Sequence, residues 1–111
     1  MALYAYMQED FRDYVLDQLN GLGDVACRKM FDAFGLYHEG RFFGIIHGGA
    51  LYFKTNEATK GEYTAFGMKP FKPSEKQILK NYYEVPSEIL ENREKLVEWA
   101  VRSAKLSPRK G

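Results

Sequence analysis

Cysteine and histidine are the side chains in this sequence that could bind a metal ion or form a nucleophile with its base. The chain contains one cysteine, Cys27, and two histidines, His38 and His47. A zinc site needs several such ligands close together, but Cys27 has no second cysteine nearby. The two histidines fall at opposite ends of one predicted strand, roughly 20 Å apart at ~3.3 Å per residue. We therefore expect no metal site and no cofactor, and we interpret Cys27 as a small buried side chain.

The other motifs of enzymatic chemistry are missing. No serine stands in a G-x-S-x-G sequence, the turn that exposes a nucleophilic serine. Gly21-Leu22-Gly23 follows a predicted helix and Gly48-Gly49 separates two strands, whereas a phosphate-binding glycine loop opens a helix. A pair of Cys27 with a histidine is compatible with the spacing, but no neighbouring residue would activate the thiol. We therefore predict that the protein is not an enzyme.

Composition predicts a single intracellular domain. With 111 residues, 45% hydrophobic and 28% charged, the chain is long enough for one core and too apolar for wholesale disorder. A net charge of +1 gives no global field for nucleic acid or membranes. The single cysteine excludes an intrachain disulfide, and neither a signal peptide nor an apolar run of ~20 residues is present. We expect a cytoplasmic domain over residues 1–106 and a flexible tail over residues 107–111.

Apolar residues recur with helical spacing near both ends of the chain. The first stripe is formed by Met7, Phe11, Tyr14, Val15 and Leu19. The second stripe is formed by Leu96, Val97, Ala100, Val101 and Ala104. Asn92 is a suitable N-cap for the second helix, and we expect Trp99, beside the second stripe, to pack on the rest of the fold. A shorter helix is predicted over residues 58–66.

Between these helices the apolar residues form short aromatic and β-branched runs, which are typical of strands. The predicted strands cover Phe31–Tyr37, Arg41–His47, Ala50–Lys54 and, later, Ile78–Val85. Loops containing glycine separate the first three, as in tight antiparallel hairpins. Two prolines keep residues 69–73 extended. This order predicts an α+β fold in two layers, an antiparallel meander packed by N- and C-terminal helices.

The loop at Gly48-Gly49 decides which side chains share a face of the sheet. A loop of two residues places His47 opposite Ala50 and Ile45 opposite Tyr52. One face then carries Arg41, Phe43, Ile45, His47, Tyr52 and Lys54. The other face carries Phe42, Ile46, Leu51 and Phe53. Because the second face is apolar it must pack against the helices, and we predict that the first, mixed face is an interaction surface.

Two classes of partner fit a face that mixes aromatic and cationic side chains. Such side chains stack on bases in RNA-binding sheets, so a weak nucleic-acid-binding module is the alternative function. The adjacent aromatics after a glycine that mark those sheets are missing, and the net charge is low. We therefore favour protein contacts, with a partner that the sequence does not identify, and we expect no membrane partner.

The apolar part of the mixed face also needs a cover, because monomers seldom expose such a patch without use. One solution is a homodimer in which a two-fold axis brings the two patches together. The other is a lid, in which residues 56–73 fold back with Phe66 and Phe71 over the face. The residue pattern allows both solutions, and we favour the dimer.

Several short motifs occur in an order and spacing that together indicate a family. They are Arg28-Lys29-Met30-Phe31, Gly35-Leu36-Tyr37, Gly40-Arg41 with Phe43, Leu51-Tyr52-Phe53-Lys54 with Ala58-Thr59, Pro70-Phe71, Tyr82-Tyr83-Glu84-Val85-Pro86, and Leu96 with Trp99-Ala100. From about residue 24 to residue 104 the chain resembles the N-terminal domain of the TfoX/Sxy family, bacterial proteins linked to the regulation of competence genes. The resemblance implies a small α+β domain with a regulatory role, acting through protein contacts, and it offers no catalytic residues to carry over.

The chain departs from the family pattern at two points. The family often has Gly-Gly after the Met-Phe pair, where this chain has Asp32-Ala33. Full-length competence regulators also carry a second, C-terminal domain, which would begin about where this sequence ends. We therefore expect a stand-alone domain, which need not act in competence.

Overall fold

The computed structural model describes residues 2–108, with side chains from residue 8 onward. Its elements are α1 (Ala2–Gln18), a 3₁₀ turn (Asn20–Leu22), β1 (Val25–Met30), β2 (Ala33–His38), β3 (Arg41–His47), β4 (Ala50–Lys54), α2 (Lys60–Ala65), β5 (Pro70–Ser74), β6 (Gln77–Glu84), α3 (Ser87–Leu90) and α4 (Arg93–Lys105). The described strands form one antiparallel sheet of six strands in the order β1-β2-β3-β4-β6-β5. The predicted fold is confirmed: an α+β domain with a meander sheet and helices from both ends of the chain.

Three tight hairpins connect the first four strands. Their loops consist of Phe31-Asp32, Glu39-Gly40 and Gly48-Gly49. Loops of two residues favour positive φ because the backbone twist then matches that of the flanking strands. Positive φ occurs at all three glycines of these loops and also at Phe31 and Glu39.

Strand β1 is the element that the sequence pattern missed. The first strand was predicted over Phe31–Tyr37, but Phe31 lies in a hairpin loop and a strand over Val25–Met30 precedes it. β1 is an edge strand whose side chains are half-buried or exposed. An edge strand with exposed charges such as Arg28 and Lys29 gives only a weak apolar alternation. The prediction of the first strand's start was therefore wrong.

The other elements differ from prediction only in detail. The segment predicted as extended around its two prolines is β5, an edge strand, where a missing N–H removes no bond from the middle of the sheet. The bounds of α2 and β6 differ by one or two residues from those predicted. The predicted N-cap of α4 is confirmed, because the Asn92 side chain accepts a hydrogen bond from the Lys95 backbone N–H at 3.1 Å.

The apolar core lies between one face of the sheet and the helices. Its fully buried large side chains include Val15, Leu19, Leu36, Phe43, Ile46, Leu51, Phe53 and Leu96. Trp99 is 6% exposed and its ring packs against Tyr63, with centroids 4.7 Å apart, so its expected burial is confirmed. In the predicted stripe of α1, Tyr14 is largely exposed, and the side chain of Met7 lies outside the described residues. Among the described helices, none has the length and apolar character needed to span a membrane.

Candidate interaction surfaces

A β-bulge changes the membership of the predicted interaction face. Leu36 pairs with Gly44 but Tyr37 pairs with Phe42, so Phe43 is an extra residue on β3. An extra residue reverses the alternation of side chains beyond it. Phe43 is fully buried in the core, whereas Phe42 lies on the opposite face against Tyr37, with ring centroids 5.1 Å apart. The predicted faces of Phe42 and Phe43, and by the same reversal that of Arg41, were therefore wrong, because regular alternation assumes a strand without a bulge.

Ile45, His47 and Tyr52 lie on the face predicted for them, but this face is covered. Phe71 of β5 packs on Tyr52, with ring centroids 4.5 Å apart, and on His47, with centroids 5.3 Å apart. The β5–β6 hairpin thus curls over the sheet, which agrees with the lid alternative as far as Phe71 is concerned. Phe66 is not part of this lid, because its ring packs beside α4 on the other side of the sheet.

Gly35, the cross-strand neighbour of Ile45, allows two larger side chains to close over the sheet. A Cβ at position 35 would lie 3.0 Å from the Phe42 ring and 3.1 Å from the Met30 side chain. Ile45, on the same face, is only 4% exposed. The face is therefore a second, smaller core. A homodimer through it would have to displace these side chains, and this dimer stays a prediction.

The two cations of the predicted face, Arg41 and Lys54, both bind Ser107 at the end of α4. Arg41 Nη1 donates to the Ser107 carbonyl oxygen at 2.7 Å, and Lys54 Nζ donates to Ser107 Oγ at 2.8 Å. Ser107 Oγ donates to the Phe42 carbonyl oxygen at 2.6 Å. Ser107, assigned to the flexible tail, is buried and belongs to the fold, while residues 109–111 of that tail lie outside the described residues. Both cations thus fasten α4 to the sheet.

Burial raises the pKa of two phenols on this side of the sheet. It raises the pKa of Tyr82 to about 12, with a smaller contribution from Tyr37. Burial, and to a lesser degree the charge of Glu84, also raises the pKa of Tyr52. A protonated phenol donates a hydrogen bond but does not act as a base or a nucleophile at neutral pH. The aromatic residues here provide packing and hydrogen-bond donors.

The residues with metal-binding or nucleophilic potential remain apart. In the part of the chain that the structure describes, no group of three Cys, His, Asp or Glu side chains could hold a metal ion. Cys27 is a free thiol, half-buried against the core. Burial raises its pKa, while the nearby charge of Arg12 acts in the opposite direction. A thiol with a raised pKa is mostly protonated at neutral pH and reacts slowly.

Phe31, at the tip of the β1–β2 hairpin, is the most exposed large apolar side chain among the described residues. It is 99% exposed, compared with 50% for Ile78 and 41% for Phe66. Its φ of 51° lies in the left-handed region, which costs an L-residue roughly 1–2 kcal/mol and which Gly, Asn and Asp tolerate best. The tip therefore exposes a large apolar ring to solvent, at a backbone conformation that is unfavourable for phenylalanine.

Contacts from two other elements fix the backbone of this tip. Gln8 Nε2, in α1, donates to the Asp32 carbonyl oxygen at 3.1 Å. Asp32 Oδ2 lies 3.2 Å from His47 Nε2, on β3. The loop is thus tied to the body of the domain while the Phe31 ring is free to meet a partner. The tip is partly preorganised, which lowers the entropy lost on binding.

Sequence reasoning missed this site because it placed Phe31 at the start of a strand. Val25 and Cys27 are apolar and two positions apart, but Ala26 between them is not polar and Lys29 breaks the alternation, so the strand signal is weak. A strand ending at Met30 would have left Phe31-Asp32 as a hairpin loop. The exposure of Phe31 would then have followed from its place in the loop.

Most of the sequence matches one known protein family. The TfoX N-terminal domain family matches residues 17–106. A search of curated proteins found no match to this chain. The matched range contains all of β1 to β6 together with α2, α3 and α4. Because the match covers most of the sequence, the chain belongs to the TfoX N-terminal domain family.

Proposed function

We propose that this protein is a non-enzymatic regulatory domain that binds a protein partner, with Phe31 as the anchor of the binding site. The observation that carries the proposal is the 99% exposure of Phe31 at a φ of 51°. Burying such a ring in a partner's pocket contributes roughly 1.5–3 kcal/mol. A few buried aromatic anchors supply most of the affinity in many protein interfaces.

The family supports the regulatory part of this proposal. The match to the TfoX N-terminal domain family agrees with the resemblance to competence regulators noted in the sequence. Control of transcription through protein contacts is the role that this resemblance suggests. A cytoplasmic location belongs to the same proposal. It is supported by the presence of a single cysteine, since small secreted domains are commonly held together by several disulfides.

The alternative of nucleic-acid binding has less support, because its two cations already have partners. Arg41 and Lys54 donate hydrogen bonds to Ser107, and phosphate binding would compete with those bonds. The aromatic Tyr52 lies under Phe71, so its ring face is not open to a base. Binding through the sheet face, by protein or nucleic acid, would require the β5–β6 hairpin to move.

A comparison of two matched variants tests the role of Phe31. Phe31→Asn removes the ring at a φ that asparagine tolerates, and Glu39→Asn makes the same backbone change at the next hairpin tip, where φ is also 51°. Wild-type protein and both variants would be immobilised, exposed to a lysate of the source organism, and analysed by quantitative mass spectrometry. We expect at least one protein to be retained by the wild type and by Glu39→Asn, and to be depleted at least about tenfold on Phe31→Asn.

The affinity of the retained protein would then be measured after purification, by calorimetric titration against the same three chains. A tenfold or larger loss confined to Phe31→Asn supports the proposal. Equal retention and equal affinity for all three chains would refute Phe31 as the anchor. Salt-dependent capture of nucleic acid in place of a protein would favour the alternative.

A further inference from the structure

The outward face of α4 is left open by the part of the chain that the structure describes. Val97 and Val101, one turn apart, are only half-buried on this face, although the opposite side of α4 is fully packed. Their neighbours Glu94, Glu98 and Lys105 are exposed. A helix that packs on the core through one face usually presents polar residues on its solvent-facing side. The two valines therefore mark a place where a further surface could pack.

Two hollows lie on either side of this ridge. One, of about 680 Å³, is lined by the 3₁₀ turn at Asn20 and Gly21 and by the first half of α4. The other, of about 540 Å³, lies between Glu62 of α2 and α4. Val97 and Glu98 line both hollows. A ridge with a groove on each side is the shape that packs against another helix.

The charges on this ridge are ordered along the helix. Glu94 lies in the first turn, Glu98 lies near the middle beside Val97, and Lys105 lies in the last turn. Lys95 adds a positive charge on the flank that faces α2. Within residues 8–108 none of the first three side chains forms an ion pair, whereas their neighbours Arg93 and Arg102 are paired with Asp17 and Glu62. An acidic start and a basic end also suit the helix dipole, but the dipole does not call for exposed valines between them.

We propose that this face binds a second copy of the chain, with the two α4 helices antiparallel across a two-fold axis. Rotation about such an axis places the start of one helix beside the end of the other. Glu94 of each copy then lies beside Lys105 of the other copy, which gives two equivalent ion pairs. The same operation brings Val97 and Val101 of both copies to the centre. Glu98 comes with them and faces the second half of the other α4, which carries Arg102 and Lys105. The ridge is complementary to itself, which is what an isologous interface requires. A different partner would need its own matching pattern, whereas a second copy already has one.

The size of the helix limits the strength of this dimer. Thirteen residues of α4 span about 20 Å. The contact therefore falls among small interfaces, below roughly 1,200 Å² in total, which are typically transient. We expect a dissociation constant of tens to hundreds of micromolar, and a dimer that forms at high local concentration.

Charge exchange between the two ends of α4 tests the proposal without relying on its apolar centre. Glu94→Lys alone places two like-charged pairs in the homodimer, and Lys105→Glu alone does the same with the opposite sign. An equimolar mixture of the two variants restores opposite charges at both ends. Light scattering and sedimentation from about 10 µM to about 1 mM would follow the mass above the monomer value of 12.8 kDa.

We expect the wild type to approach twice the monomer mass, each variant alone to dimerise at least about tenfold more weakly, and the mixture to recover the wild-type behaviour. Glu91→Lys, which makes the same charge change outside α4, is the matched control and should behave as the wild type. Unchanged melting temperatures would verify that the variants are folded. A constant mass of 12.8 kDa for the wild type, or charge variants that dimerise like it, would overturn the proposal. Phe31→Asn should leave the dimer intact, which separates this test from that of the proposed function.

Discussion

Two successive hairpin tips, at opposite ends of β2, have the same φ at their first residue and opposite side-chain chemistry. Phe31 and Glu39 each begin a two-residue loop, and each has a φ of 51°. After Glu39 comes Gly40, also at positive φ, so this loop uses turn residues and a charged side chain, as an exposed hairpin should. The loop of Phe31 carries the same backbone cost with an apolar ring that packs on nothing in the described chain.

The difference between the tips separates a structural requirement from a functional one. Both loops need positive φ to close a tight hairpin, so the strain by itself carries no information about function. The identity of the side chain is informative about function, because many residues tolerate this geometry better than phenylalanine does. A residue that improves neither the turn nor the core is best explained by a contact outside the chain.

The largest expected change in stability comes from an aromatic residue that is buried, in contrast to the exposed Phe31. Trp99 is 6% exposed and packs on Tyr63, so Trp99→Ala should lower the free energy of unfolding by ~3–5 kcal/mol. Urea denaturation followed by circular dichroism measures this loss. An unchanged midpoint would mean that exposure does not separate structural from functional aromatics in this protein.

A substitution at the third hairpin tip should have a smaller effect on stability. It measures only the energetic cost of positive φ. Gly48 has a φ of 58°, and a Cβ placed there would meet no atom within 4 Å. Gly48→Ala should therefore destabilise the domain by about 1–2 kcal/mol through strain only. Gly61→Ala, also in open space but inside α2, should instead stabilise by up to about 1 kcal/mol. Losses of equal size at both positions would show that strain is not what is being measured.

Substitution of the two tip residues themselves should have a still smaller effect, of opposite sign to that at Gly48. Phe31→Asn and Glu39→Asn each place a residue that tolerates the left-handed region at a φ of 51°. We expect each to raise the free energy of unfolding by about 0.5–1 kcal/mol, measured by thermal or urea denaturation. A clear destabilisation by Phe31→Asn alone would mean that the ring packs within the domain, which contradicts its proposed role.

The smallest expected effect is none. We predict no measurable binding to single-stranded DNA or RNA at physiological salt, because Arg41 and Lys54 are held by Ser107. Fluorescence anisotropy with a labelled oligonucleotide would test this across a range of salt concentrations. Micromolar binding that is lost when both cations are replaced by alanine would favour the nucleic-acid alternative instead.

The parts of the fold that could be predicted are those that depend on nearby residues. Helical spacing located α1 and α4, glycines located two of the three hairpin loops, and the pairing of Ile45 with Tyr52 follows from the loop at Gly48-Gly49. β1 was missed because an edge strand with exposed charges lacks a strong apolar alternation. The candidate site was missed with it, since the place of Phe31 depends on where β1 ends.

The sequence by itself determined the family, the α+β class and most of the helices and strands, β1 excepted, because helical periodicity, caps and tight turns are set by residues only a few positions apart. The tertiary structure decided which side chains are available. The bulge at Phe43 turns that ring into the core, and Phe71 closes over Tyr52 from a hairpin that is distant in the chain. Ser107 binds both cations of the predicted face from more than fifty positions away. Such contacts depend on packing between distant segments, which a local pattern does not encode.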